Sequence, residues 1–276
     1  MKLPINPGAN PMARLPDDVC MLPQDAVVNL VGQKTNCYLL FTERGTWVVD
    51  PPSDRAEQLN EIMSAVRGPI VGLLLTHTHQ DHTGGVAALV AQSGVSVYAH
   101  PKAQPFVPTH LPFMPLNEGD QLDGWQVFEV PGHRFDSLCF FSPSSGCAIV
   151  GDLVAGAGTV VLSPPEADLL DYLHSLRRLR DEIPATLLAP GHGPLIDQPK
   201  TLITHYINHR LGREQLVLRA LSQTPTPLSA LVPRAYPKLN PALYPLAERS
   251  LLCHLIKLQR EGRADQGAAG WHNSQK

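Results

Sequence analysis

Thr76-His77-Thr78-His79-Gln80-Asp81-His82-Thr83-Gly84-Gly85 places three histidines and one aspartate within six residues. The preceding run, Ile70-Val71-Gly72-Leu73-Leu74-Leu75, is apolar over the length of a buried strand. A strand that ends in such a cluster delivers imidazoles and a carboxylate to one edge of a sheet. His77 and His79 are two apart, so they share a face where the backbone is extended. Asp81 and His82 then open a turn, and Thr83-Gly84-Gly85 leads into a helix of small residues over 84–93.

Three more predicted strand ends carry ligand-type side chains. Val130-Pro131-Gly132-His133 offers His133, Val150-Gly151-Asp152 offers Asp152, and Pro190-Gly191-His192-Gly193 offers His192. Each lies beside a glycine that permits a tight backbone turn. A lone Gly-His pair says little; all of them in order after His-x-His-x-Asp-His point to a metal centre. Zinc takes nitrogen and oxygen donors in roughly tetrahedral sets, and seven residues supply two such sets. Manganese or iron would accept the same donors. His100, His110, His174, His205, His209, His254 and His272 show no ligand spacing and read as surface or packing residues.

Working outward, residues 1–25 are proline-rich and read as an arm laid over the body. Ala26–Val31, Cys37–Phe41 and Thr46–Asp50 read as strands, the last two joined by a turn at Glu43-Arg44-Gly45. A helix over 54–67, capped by Ser53 or Asp54, would bury Leu59, Ile62, Met63 and Val66. Val95–Ala99 is a strand, and the aperiodic, proline-rich 101–118 reads as a loop that could cover a substrate, with His110 in it. Trp125–Val130, Leu138–Phe141, Ala148–Val150 and Thr186–Ala189 are further strands, with an amphipathic helix over 165–182. Strands with helices, then strands with helices again, predict an αββα sandwich in a mixed α/β (α+β) chain.

Composition changes after Pro199. Helices are expected over 202–221 and 228–232, the latter ended by Pro233. A third would start at Asn240-Pro241, bury Leu251, Leu255 and Leu258, and stop at Gly262. This divides the chain at 198/199 into a sandwich and a small helix-turn-helix or winged-helix unit. Net charge is −3 overall, yet Lys200–Lys276 holds eleven Lys/Arg against four Asp/Glu. Such asymmetry fits an anion-binding module, with Arg210, Arg213, Arg249, Lys257, Arg260 and Arg263 as the candidate contacts. No apolar run reaches a membrane span and no apolar leader is present, so a soluble cytoplasmic protein is expected. The five cysteines include no Cys-x-x-Cys pair and read as reduced thiols.

The His-x-His-x-Asp-His motif and its downstream partners resemble the metallo-β-lactamase superfamily over residues 24–198. The resemblance implies that His77, His79 and His133 hold one ion, that Asp81, His82 and His192 hold a second, and that Asp152 bridges both. A hydroxide between two zinc ions would be the nucleophile, oriented by Asp81, the catalytic candidate. Asp50 resembles the early aspartate that supports the site from behind the ligands. Many zinc β-lactamases carry cysteine where Asp152 stands, so the set is closer to glyoxalase II and RNA-cleaving members. Asp171-Tyr172, Ser175-Leu176, Pro190–Pro194, Tyr206–Arg210 and Arg213-Glu214-Gln215 resemble the β-lactamase-like protein 2 family. That family carries a C-terminal winged helix, and its animal mitochondrial member cleaves single-stranded RNA. The expected activity is therefore hydrolysis of a small ester or thioester, as in hydroxyacylglutathione thioesterases, or of single-stranded RNA. The contrasting reading is a nucleic-acid-binding protein with an inert sandwich, for which seven intact ligands have no use.

Overall fold

In the computed structural model, which describes residues 5–27 and 33–274, the stretch Thr35–Leu40 is buried at every position. A strand covered on both faces reads as a continuous apolar run, and here period-2 alternation sorts it. Tyr38 and Leu40 turn toward a second sheet; Cys37 and Leu39 turn toward helices. The first sheet and its helices run β1 (Val19–Gln24), β2 (Thr35–Thr42), β3 (Gly45–Val49), α1 (Ala56–Ala65), β4 (Ile70–Leu74), α2 (Gln80–Thr83), α3 (Val86–Ser93), β5 (Val97–Ala99) and β6 (Phe113–Pro115). The second is built from β7 (Gln121–Leu122), β8 (Trp125–Glu129), β9 (Leu138–Ser142), β10 (Cys147–Gly151) and, after α4 (Leu169–Asp181), β11 (Leu187–Pro190).

Among the described residues the strand orders are β1-β2-β3-β4-β5-β6 and β11-β10-β9-β8-β7. Tyr38, Leu40, Trp47, Val49 and Leu74 interdigitate with Trp125, Val127, Phe140 and Ile149 between the sheets. Leu59 and Ile62 of α1 and Leu89 and Val90 of α3 cover the first sheet. Leu169, Tyr172, Leu173, Leu176 and Leu179 of α4 cover the second. This is the αββα sandwich, with helices outside both sheets. Asp168 starts α4 by accepting from the N–H groups of Leu170 at 2.8 Å and Asp171 at 3.2 Å.

Several expectations need correction. The arm over 1–25 contains β1, which pairs antiparallel with β2 from Val19↔Leu40 to Gln24↔Thr35. Pro23 disguised it, but β1 is an edge strand, where a missing N–H is tolerated. The predicted strand Ala26–Val31 lies mostly outside the described residues. Segment 101–118 is not a free loop: Pro101–Phe106 forms a 3₁₀ helix and Phe113–Pro115 pairs with β5. Met63 is exposed instead of inward.

Beyond the sandwich come α5 (Pro199–Ala220), α6 (Leu228–Ala235), α7 (Tyr244–Arg260) and a hairpin of β12 (Ala264–Gly267) and β13 (Gly270–Asn273). α6 continues past Pro233 to Ala235. Asn240 caps a 3₁₀ turn, Pro241–Leu243, that leads into α7. Val217, Leu231, Val232, Leu251, Leu255, Leu258 and Trp271 form a separate core. The hairpin is too short and polar to read from sequence; Trp271 seats it through paired 2.9 Å backbone bonds with Thr226. α5 belongs to both cores: Leu202, Ile203, Tyr206 and Ile207 pack on the sandwich, Val217 and Leu221 on the C-terminal helices.

Of the basic residues of α7 and its exit, Arg249 and Arg260 are exposed, whereas Lys257 is buried and Arg263 half-buried. Lys257 is buried with its Nζ 2.6 Å from Glu214 and 2.7 Å from Glu261. Arg263 lies 3.1 Å from each of the same two carboxylates. Arg260 pairs with Asp168 at the start of α4. The cause is Glu214: a carboxylate buried on α5 requires cations around it. Lys257→Met is therefore expected to lower stability by about 3 kcal/mol, as removal of one partner of a buried pair does, read as the urea midpoint. Nearby His254 is buried, its Nδ1 has no partner, and its pKa is pushed down to about 3 by burial and then by Arg210, Lys257, Arg213 and His209. Its folded pKa lies below the unfolded value, so it opposes protonation and stability falls as pH drops below about 6.5. Between pH 7 and 5 the wild type should lose about 2 kcal/mol more than His254→Gln in urea unfolding.

Candidate metal centre

The parallel strands at the heart of each sheet end at one edge, and each hands over a side chain there. β4 leads through Leu75 and Thr76 to His77, β10 to Asp152, and β11 to His192, while β8 leads to His133. α2, a single turn, lifts Asp81 and His82 toward the same point. Gly191 has no substitute in this crossing, because a Cβ there would meet the Asp152 carboxylate and lie 2.8 Å from the His82 ring. Gly132, at φ +128, is held against the Tyr172 backbone, where any side chain would collide.

The donor atoms gather in two groups. His77 Nε2 lies 3.1 Å from His79 Nδ1, and His133 Nε2 lies 3.0 Å from that same nitrogen. On the other side His192 Nε2 is 3.4 Å from both Asp81 Oδ2 and Asp152 Oδ2. His82 Nε2 is 3.6 Å from Asp152 Oδ1 and 4.0 Å from Asp81 Oδ2. Asp152 also reaches to 3.7 Å from His133 Nε2, so its carboxylate stands between the groups. All seven predicted ligands are brought together. His77, His79 and His133, and separately Asp81, His82 and His192, are close enough to share an ion.

The other nitrogen of every imidazole is already held. His77 Nδ1 is 3.1 Å from Thr76 Oγ1, His82 Nδ1 2.9 Å from Asp50 Oδ2, His133 Nδ1 3.1 Å from the Val161 carbonyl and His192 Nδ1 3.0 Å from the Lys34 carbonyl. His79 instead turns Nε2 outward, 3.4 Å from Glu166. Such outer partners set the tautomer and direct the remaining lone pair inward. Meanwhile, among the described residues, His82 Nε2, His192 Nε2 and Asp152 Oδ1 are buried without a hydrogen bond. Buried polar atoms of this kind are ordinarily satisfied, and a cation among them would satisfy all three. The residues present thus fit metal ions.

Electrostatics separates the two groups. Burial and then the neighbouring His82 and His79 hold His77 well below the usual imidazole range, and burial takes His133 down to about 3. These imidazoles are neutral, with lone pairs free for a cation. Burial acts the same way on His192 but is overcome by Asp152 and Asp81, which push it up to about 10. His82 is likewise raised against its burial, by Asp152 and Asp50. Without metal, protons compensate the carboxylates there.

Asp50 sits behind the ligands at φ +50. Its carboxylate accepts from Thr76 N at 2.8 Å, Thr76 Oγ1 at 2.5 Å and His82 Nδ1 at 2.9 Å. Sequence reading missed the residues around His79. Glu166 is held at 2.7 Å by Arg134, whose Nε bonds Thr78 and pairs with Asp136 at 3.0 Å. Arg134 and Asp136 follow His133 directly, but the spacing carries no recognisable motif, and Glu166 comes from a distant loop.

A cavity of ≈ 270 Å³ opens onto Asp81, His133, Asp152 and His192. Its other walls are His79, Gln33, the 155–166 loop and, from α7, Leu246 and Arg249. Among the described residues none of 101–118 lines it and His110 is exposed, whereas Leu246 and Arg249 of the C-terminal unit do line it. Of the predicted anion contacts, Arg249 lines this cavity. Arg210 and Arg213 line an adjoining one, and Lys257, Arg260 and Arg263 are held in ion pairs.

Comparison with known proteins agrees with this architecture. Residues 30–192 match the Metallo-beta-lactamase superfamily, and residues 228–271 match the beta-lactamase associated winged helix domain. The chain is 32% identical over 251 residues to the beta-lactamase-like protein 2 homolog of Drosophila melanogaster, covering 84% of each. It is 27% identical over 217 residues to that of Caenorhabditis elegans, covering 72% of each. A beta-lactamase domain protein from Burkholderia ambifaria superposes with a TM-score of 0.80 at 23% identity, over 98% of this chain and 97% of that one. TTHA1623, solved in a di-iron-bound form, superposes at 0.55 with 32% identity, over 68% of this chain and 97% of that one. Converging imidazoles, carboxylates between them and a winged helix over the mouth carry the same conclusion as these matches: the chain belongs to the metallo-β-lactamase superfamily and is a metal-dependent hydrolase.

Proposed function

We propose that this protein is a dinuclear zinc hydrolase of small ester or thioester substrates. In this reading His77, His79 and His133 would hold one ion and Asp81, His82 and His192 the other, with Asp152 available to both. What supports it is the pair of donor groups with Asp152 between them, each imidazole already tied down at its outer nitrogen. When bound, two zinc ions supply Lewis acidity that activates water near neutral pH and polarises the scissile carbonyl. Asp81, which lines the cavity, orients the attacking water and takes its proton. The acyl–oxygen or acyl–sulfur bond breaks, the water oxygen stays on the acyl carbon, and the alcohol or thiol leaves with a proton. Val160, Val161 and Leu246 exclude bulk water from the reacting atoms.

A small substrate is favoured over single-stranded RNA because three of the six cations that would track a phosphate backbone are held in ion pairs. Lys257, Arg260 and Arg263 each face a carboxylate. The inert-sandwich reading leaves the buried ligand atoms without a hydrogen bond unexplained. No helix of the described residues is long and apolar enough to cross a membrane, and five unpaired cysteines support a reducing, cytoplasmic setting.

Elemental analysis should find close to two ions per chain, and Asp152→Ala should lose one of them together with most of the activity. Asp50→Ala, which frees His82 Nδ1, should weaken metal affinity by about 10–100-fold in a competition titration; unchanged affinity would mean that His82 holds no metal. The substrate class is tested on zinc-loaded protein with a thioester, a lactone, a nitrocefin-type β-lactam, a phosphodiester and single-stranded RNA. Thioester or lactone turnover that stops with chelator and returns with zinc is expected, with at most weak β-lactam hydrolysis. Cleavage of RNA with no turnover of either acyl substrate would overturn the proposal.

A further inference from the structure

Beside the metal-facing cavity lies a second one of ≈ 190 Å³, between α5, α7 and the loop at 159–161. The two share Thr159, Val160, Val161 and Leu246, so they are rooms on one path. Leu239, Leu243 and Leu246 line the second room, and Leu243 and Leu246 are 49% and 47% exposed, unusual for leucines at a helix start. Into this apolar room project two guanidinium groups from α5.

Arg210 is only 4% exposed. Its Nη2 donates to the Val160 carbonyl at 2.5 Å, its guanidinium lies 5.3 Å from the Tyr172 ring centroid, and its Nε has no partner. Arg213, one turn on, lies over the Tyr236 ring at 4.3 Å. Among the described residues neither has a carboxylate partner. The nearby acids are committed elsewhere, Glu214 to Lys257 and Arg263, Asp168 to Arg260. His209, also in the lining, is pushed down to about 4 by burial and then by these arginines, so it adds no charge at neutral pH. A buried cation without a counter-charge is costly, and a guanidinium is built to receive a planar or tetrahedral oxyanion.

We propose that this second room binds the far end of the substrate, and that the substrate is an acyl ester or thioester whose apolar acyl chain ends in an oxyanion. This rests on the reading of the metal-facing cavity as the place where the acyl bond is cut. The scissile carbonyl sits at the metal ligands, the chain passes Val160, Val161 and Leu246, and the terminal anion meets Arg210 and Arg213. The room is small beside the ~300–1,000 Å³ of sites that enclose a whole drug-sized ligand, which suits a chain terminus and not a nucleotide polymer. Arg213 is then a specificity residue, and Arg210 both receives the anion and holds the shared loop through Val160.

The test is binding, measured by calorimetry on the protein as purified. The probes are the monocarboxylates hexanoate to dodecanoate, the α,ω-dicarboxylates of the same lengths, and ω-phosphono analogues of the monocarboxylates. One chain length should bind at least about tenfold tighter as the doubly anionic form than as the monocarboxylate. Preference for the dicarboxylate or for the phosphonate tells which oxyanion the room takes. Arg213→Gln should reduce that preference to within about threefold while keeping the thermal midpoint, and Arg210→Lys, which retains the charge, should keep it. No preference at any length, or full preference in a folded Arg213→Gln protein, overturns the inference. Preference without turnover of any acyl substrate in the hydrolysis panel would sink the ester-hydrolase reading and leave the anion room standing. Acyl turnover without preference would do the reverse.

Discussion

The site depends on one carboxylate that binds no substrate. Asp50, at the end of β3, accepts three hydrogen bonds: two from Thr76 at the end of β4 and one from His82 on α2. It is 1% exposed, and three donors meet most of the cost of burying it. Through Thr76 Oγ1 the same carboxylate reaches His77 Nδ1, so one ligand of each donor group is oriented from a single anchor. Asp50 stands at φ +50, a conformation that aspartate tolerates better than most side chains. Strand ends, helix start and imidazole tautomers are therefore set together, before any metal arrives.

The seven candidate ligands were legible because their chemistry is concentrated. Donor residues follow apolar strands, beside glycines, at spacings that other histidines in the chain lack. The strands around them were legible for a related reason: a sheet covered on both faces leaves few polar interruptions. β1 was missed because Pro23 reads as a breaker unless the strand is known to be an edge. The hairpin of β12 and β13 was missed because Ala264-Asp265-Gln266-Gly267 has no alternation, and only Trp271 anchors it. Glu166 and Arg134 were invisible for a deeper reason. Their roles come from long-range proximity to His79, which no local pattern records.

Charge is harder to read from sequence than pattern. A net excess of Lys and Arg after residue 199 suggested a surface for a polyanion. Counting charges does not reveal which are buried opposite an acid, and Glu214 alone gathers two of them. Lys200, Arg219, Arg234 and Lys238 stay exposed without a carboxylate partner among the described residues. Arg210 and Arg213 instead stand beside the leucines of one room, with Arg249 at the wall of the other.

The double membership of α5 bears on how the chain matures as it is made. The second sheet's outer layer includes Leu202 to Ile207 of α5 and even Cys253 of α7, so that layer lacks its cover until late residues have left the ribosome. The sandwich is thus not a self-contained first product to which a winged helix is later attached. Apolar surface on α4 and the second sheet stays open until α5, and finally Cys253 of α7, has been made. The nascent chain would be the form of this protein most in need of a chaperone, and the interval of exposure is set by translation speed over its last third.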